Sequence, residues 1–287
     1  MIPAAFAYAR PTTIDEALQA IADGGDDVKI LAGGQSLIPV MRLRLAAPET
    51  VVDLARVEGL RGVREDGDHL VVGAMTTHAD VLADPLLARY APLLVQATET
   101  VADRQVRRRG TFGGALAHAD PAGDLPAVAL ALDAEFVVAG PAGRRTVPAA
   151  EFFVDYLTTA LEEGELLVEI RLPKLSAADG WGTRYEKFNR VAQAWSIVAV
   201  AAAVRREGGR ITEARIGLTN MGPTPLRAAA TEAALVGVDV SLETVTAAAA
   251  QAAEGTSPSN DLNAQADYRQ HLAQVLTRRA LAGAAGL

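Results

Sequence analysis

Two loops with paired glycines, at Gly33-Gly34 and Gly113-Gly114, constrain this chain more than any other feature of it. The first follows the apolar run Val28-Lys29-Ile30-Leu31 and reads Ala32-Gly33-Gly34-Gln35-Ser36-Leu37. The second lies in the stretch RRRGTFGGALAHADPAGDLP, Arg107 to Pro126, where Gly110 and Thr111 precede the pair. Adjacent glycines let backbone N–H groups converge on an anion without interference from Cβ atoms. Two such loops can hold a pyrophosphate from two sides, although either alone reads more readily as a tight turn. Neither fits G-x-G-x-x-G or G-x-x-x-x-G-K-S/T, so the sequence gives no support to a Rossmann or P-loop reading.

The chain has 287 residues, enough for one large or two modest domains with a substantial core. Its formal charge of −8 argues against nucleic acid as the main partner. The run Arg107-Arg108-Arg109 is a local exception, open to reading as a solvated face or as a phosphate or partner contact. No apolar run is long enough to span a bilayer, and Met1–Arg10 shows no signal-peptide pattern, so a cytoplasmic location is expected. Cysteine is absent, which removes disulfides, thiol nucleophiles and the usual ligands of iron–sulfur clusters. His118, Asp120 and Asp124 can be drawn as metal ligands. Asp120 is better used as a helix cap before Pro121, and no metal site is expected.

In chain order, Thr13-Ile14-Asp15-Glu16 is a capping box that opens a helix. Strands follow at Val28–Leu31 and Thr50–Leu54, with the first glycine loop between them. A strand at Leu70–Ala74, a short helix capped by Thr77 and a long helical pattern over Leu86–Ala102 lead to the second loop. A helix from Pro121, a hairpin over residues 134–147 and a strand at Leu166–Leu172 complete the first part. Leu175–Gly180 is the expected boundary. Beyond it, Thr183–Asn189, Ser196–Arg205 and Arg210–Asn220 read as an antiparallel meander. Helices are expected at Thr224–Leu235, Ser241–Ala253 and Tyr268–Ala282.

The segments AGGQSL near residue 32 and QVRRRGTFGG…ADPAGDLP near residue 110 resemble the FAD-binding medium subunit of the molybdenum hydroxylases, the xanthine dehydrogenase and carbon monoxide dehydrogenase family. The resemblance runs nearly end to end. It implies an α+β fold, with a two-subdomain PCMH-type FAD-binding domain over 1–175 and a smaller α+β domain over 180–287. It also implies FAD held by Ala32, Gly33, Gly34, Gln35, Ser36 and Leu37 on one side and by Gly110, Thr111, Gly113 and Gly114 on the other. Val101, Ala102 and Val106 match positions near the flavin ring, Asp124 one that contacts the sugar chain, and Lys187 and Trp195 positions beside the ring. Taken alone, Val101, Ala102 and Val106 read equally as helix core, Asp124 as a surface carboxylate and Lys187 as a solvated strand residue. Trp195 alone fits packing within its own sheet.

The implied partners are a small subunit carrying two 2Fe–2S clusters and a large molybdopterin-binding subunit, assembled as a dimer of heterotrimers. Electrons would pass from the clusters to FAD and on to an external acceptor, and no catalytic acid or base is assigned to this chain. Ala115, Arg108 and Ala194 stand where relatives often have Asn, Asn and Asp. Two other readings remain open: a stand-alone flavin oxidase of the vanillyl-alcohol oxidase type, and a flavin-free assembly subunit.

Overall fold

The computed structural model describes residues 2–287; Met1, the first residue of the stretch read for a targeting segment, lies outside them. The N-terminal unit is β1 (Ala7–Ala9), α1 (Ile14–Asp23), β2 (Val28–Leu31), α2 (Leu37–Arg42) and β3 (Thr50–Asp53). Its three strands are parallel in the order β1-β3-β2. The capping box forms as the sequence dictates: Thr13 accepts from the Glu16 amide, and Glu16 reaches back to the amide of Thr13. Ala17, Ile21, Val52 and Leu54 close the small core. The loop between β2 and α2 thus leaves the end of a half-buried edge strand.

The second unit is built on a five-stranded antiparallel sheet in the order β4-β5-β10-β6-β7. Its strands are β4 (Val63–Asp66), β5 (His69–Gly73), β6 (Glu135–Gly140), β7 (Gly143–Pro148) and β10 (Leu166–Pro173). Between β5 and β6 run α3 (His78–Ala83), α4 (Pro85–Tyr90), α5 (Pro92–Glu99), α6 (Arg104–Arg107), α7 (Phe112–His118) and α8 (Asp124–Ala131). The short α9 (Ala149–Phe152) and the ribbon β8 (Phe153–Asp155) and β9 (Thr158–Thr159) follow β7.

Two expectations are corrected here. The helical pattern over Leu86–Ala102 is two helices that end at Glu99. Pro92 lacks an N–H, and Ala91 before it leaves the helical region at φ −137° and ψ 49°. The second correction is that Pro121 does not start a helix. Asp120-Pro121-Ala122-Gly123 is a turn, with Gly123 donating to the Asp120 carbonyl and Ala122 to its side chain. Asp, Pro and Gly at the first, second and fourth positions are the residues a type I turn favours. The helix begins at Asp124, capped by Gly123.

The third unit is a four-stranded antiparallel sheet of β11 (Trp181–Phe188), β12 (Val198–Glu207), β13 (Arg210–Thr219) and β14 (Leu226–Arg227). It is followed by α10 (Ala229–Leu235), α11 (Leu242–Ala249) and α12 (Ala266–Ala285). The expected helix over 224–235 therefore yields its first residues to an edge strand. The sequence VAVAAAV of β12 is buried throughout because the sheet is covered on both faces. Ala199, Ala201 and Ala203 face the core shared with the second unit, while Val198, Val200 and Val204 face α12 and its neighbours. The small side chains on the first face let α8 lie close to the sheet.

Buried Arg269 on α12 ties the start of β12 in place. It donates to the Ile197 carbonyl and pairs with Asp261 at 2.7 Å. Burial raises the pKa of Asp261, but the amides of Ala264 and Asn263, with Arg269, outweigh it and hold the pKa at about 2. In Arg269→Met, an NMR titration is expected to show the Asp261 pKa rising yet staying below the ordinary carboxylate range, because the two amides remain. An unchanged value would show that Arg269 contributes nothing to this loop.

Candidate cofactor site

The first glycine loop carries the strongest mark of a ligand. The backbone N–H groups of Gly33, Gly34, Gln35 and Ser36 donate to no acceptor among the described residues, on a loop that is half-buried to exposed and so open to a ligand. Gly34 sits at φ +76°, the left-handed step that turns successive amides toward one concavity. The Ser36 hydroxyl makes no capping bond to α2 and is free for the same ligand. These are four fixed donors and a hydroxyl, presented at the start of a helix. Charge-assisted bonds of this kind contribute about 1.5–3 kcal/mol each.

The second glycine loop does something different from the expectation of a second nest. Thr111 caps α7 by accepting from the Gly114 amide at 3.2 Å. The amides of Phe112 and Gly113 are already given to the carbonyls of Thr76 and Ala74, each at 2.9 Å. Gly113 is glycine because a Cβ there would lie 2.5 Å from the Ala74 Cβ, and one on Gly114 would lie 3.1 Å from the Ala32 Cβ. A Cβ on Gly33 would fall 2.3 Å from the Arg109 carbonyl oxygen. The two loops are therefore pressed against each other. The second is the floor that holds the first in shape, and it supplies fewer donors than its sequence suggested.

Beneath this floor lies His78, whose ring faces the missing side chain of Gly110 and whose amide donates to the Gly110 carbonyl at 2.9 Å. Burial, reinforced by the Arg107 cation, lowers its pKa from 6.5 to about 4. The folded chain thus prefers neutral His78. That contribution to stability is complete above pH 6.5 and is lost as the pH falls through about 4, amounting to about 3 kcal/mol. In denaturant titrations of the flavin-free chain, the loss of unfolding free energy from pH 7 to pH 4 should shrink by about that amount in His78→Phe. An equal loss in both proteins would place the acid sensitivity elsewhere.

The remaining candidates gather at the junction of the second and third units. Asp124, the first residue of α8, receives the Tyr185 hydroxyl at 2.7 Å and the Ser196 hydroxyl at 2.6 Å on one oxygen. Lys187 donates to the other at 2.7 Å and to the Thr100 carbonyl at 3.1 Å. Both charged side chains are only 5% exposed. Lys187 is thus a buried ion-pair partner, unlike the solvated strand residue its sequence context alone suggests. Burial first, then the Asp124 charge and hydrogen bond, push the Tyr185 hydroxyl well above its usual pKa. The helix N-terminus adds favourable partial charge to the carboxylate.

Tyr185 and Ser196 were not anticipated. The signal for Tyr185 was present, since positions 185 and 187 share one face of a strand. Trp195 follows in the loop after β11 and is 57% exposed, packed neither in its own sheet nor under another element. Val101, Ala102 and Val106 are half-buried on the path from α5 to the second loop. Among the described residues no cluster of three His, Cys, Asp or Glu could hold a metal, and no helix is long and apolar enough to cross a membrane.

The chain is an α+β protein with a loop of unpaired backbone donors at a strand end and a buried polar junction between its second and third units. Residues 4–175 match the model of the FAD binding domain in molybdopterin dehydrogenase, and residues 183–284 that of the CO dehydrogenase flavoprotein C-terminal domain. The carbon monoxide dehydrogenase medium chain of Hydrogenophaga pseudoflava is 43% identical over 98% of this chain and 97% of its own length. A solved chain of that organism's enzyme, in a form lacking the Mo-pyranopterin moiety, superposes with a TM-score of 0.96 at 46% identity, covering 99% of this chain and 98% of the other. Quinoline 2-oxidoreductase from Pseudomonas putida 86 gives 0.94 at 36% identity, over 100% of this chain and 99% of the other. The chain belongs to the FAD-binding medium-subunit family of the molybdenum hydroxylases, and its cofactor is FAD.

Lys187→Met should destabilise the chain by about 3–5 kcal/mol by leaving the Asp124 carboxylate buried without its cation. Adding Asp124→Asn should recover part of that loss. Additive losses in denaturant titrations would mean that the two residues act independently.

Proposed function

We propose that this chain is the electron-transferring FAD subunit of a molybdenum-containing dehydrogenase. It takes electrons from 2Fe–2S clusters on a small partner subunit, receiving them from a large molybdopterin-binding subunit, and passes them to an external acceptor. The assembly is a dimer of heterotrimers. The observation that carries this reading is a set of donor groups shaped for a diphosphate on a chain without a single cysteine. The chain can hold a flavin but has no thiolate with which to relay electrons to it.

FAD supplies the redox chemistry, and the protein supplies binding, orientation and electrostatics. Within this reading, Ala32, Gly33, Gly34, Gln35, Ser36 and Leu37 grip the diphosphate. Gly110, Thr111, Gly113 and Gly114 keep that grip in shape. Val101, Ala102 and Val106 line the approach to the ring, with Trp195 as an exposed cover on the other side. Because Asp124 and Lys187 neutralise each other, their contribution is to fix the junction of a domain at 1–175 with one at 180–287. The relatives' names speak of carbon monoxide and quinoline, and this nest is compatible with any substrate handled on another chain.

Gly114→Val would put a branched side chain 2.6 Å from the Thr111 hydroxyl and 3.1 Å from the Ala32 Cβ, prying the loops apart. The variant is expected to purify without the flavin absorption bands that acid releases from the wild type. Full flavin content in the variant would refute the loop assignment. Purified alone, the flavin-loaded chain should show no substrate-dependent dye reduction until both the cluster-bearing and the molybdopterin-binding partners are added. Turnover by the chain alone would instead favour the stand-alone oxidase.

A further inference from the structure

The segment Thr100–Asp103 joins α5 to α6, and its backbone is held in an unusual way. All three carbonyls ahead of Asp103 accept from cationic side chains. Lys187 takes Thr100 at 3.1 Å, and a single nitrogen of Arg107 takes Val101 at 2.7 Å and Ala102 at 3.2 Å. Asp103 caps α6 through the amides of Gln105 and Val106, and its other oxygen accepts from Gln193 of the third unit at 2.9 Å. Within this grip Ala102 sits at φ +43°, a left-handed conformation that a residue with a Cβ rarely adopts. Such a residue persists only where its surroundings over-determine it, and that is common where a ligand is clamped.

The placement gives the strain a purpose. On one side the strap is tied through Lys187 to Asp124 and the third unit. On the other, one turn of α6 leads to Arg109, whose carbonyl lies against Gly33 of the nest. Arg107 is the member of the basic run that turns inward, while Arg108 and Arg109 are exposed. A side chain that reaches back from the second loop to fix the strap sets the distance between the diphosphate nest and the Asp124–Lys187 junction.

We propose that Arg107 is a positioning residue for FAD: by holding Val101 and Ala102 in their strained arrangement, it fixes the wall between the diphosphate nest and the Asp124–Lys187 junction. This rests on the assignment of FAD to the nest. It assigns no role to the exposed side chains of Arg108 and Arg109.

The test compares Arg107→Met, Arg107→Lys and Arg107→Met/Ala102→Gly with wild type in the full chain. The readouts are FAD affinity by flavin fluorescence, the visible spectrum of the bound flavin, and hydrogen exchange of residues 100–107 without flavin. Arg107→Met should weaken FAD by about tenfold or more, the fold-change that corresponds to losing one such strained residue. It should also alter the flavin spectrum and speed exchange in the strap. Arg107→Lys, which keeps a donor, should restore most of the affinity, and Ala102→Gly should recover part of it by removing the Cβ penalty. Wild-type affinity and exchange in Arg107→Met would overturn the proposal, as would an affinity loss that neither second change relieves. A wild-type chain that takes up no FAD would overturn the cofactor assignment itself.

Discussion

The carboxylate of Asp124 is where the two larger units of this molecule are joined. Two hydroxyls and an ammonium converge on it from β11 and from Ser196 in the loop ahead of β12, while its own backbone begins α8. Burying a charge is costly, and an isolated buried pair often adds little stability over an apolar replacement. The full set of partners here alters that balance. What it yields is a fixed relation between a helix of the second unit and a sheet of the third. The alanine face of β12 allows the close approach, and Arg269 holds the adjoining turn.

A fixed junction matters to the proposed site because the loop assigned there to the diphosphate belongs to the small parallel sheet, away from that junction. A dinucleotide is longer than a nest of four amides, so its two halves must be served by separate parts of the protein. The nest is held by contact with the second loop, which in turn rests on Ala74, Thr76 and His78. From there the chain runs back through α6 and the Thr100–Asp103 strap to Lys187. Each step is a backbone contact or a buried polar bond. None depends on a flexible surface pair, whose worth would be small.

Much of this was legible in the sequence. The capping box, the strand before the first nest, the antiparallel meander and the covering helices are local patterns with local causes. The placement of the first glycine loop between a strand and a helical turn followed from paired glycines after an apolar run. What could not be read was how amides are spent: nothing local says that Gly113 donates to Ala74 while Gly33 donates to nothing. Lys187 looked solvated because a lysine on a strand ordinarily faces water, and only the arrival of α8 with Asp124 gives it a buried partner. Asp-Pro-Ala-Gly is ambiguous between a helix start and a turn, and the left-handed Ala119 before it decides for the turn. Arg107 stands in a basic run whose members look alike until one of them folds inward.

The central claim is that the orphan amides of Gly33 to Ser36 recognise the diphosphate. Calorimetric titration of the flavin-free chain with FAD and with riboflavin, which carries the same ring without phosphates, tests it directly. Several charge-assisted bonds predict that FAD binds at least about a thousandfold more tightly. Equal affinities for the two ligands would contradict the account.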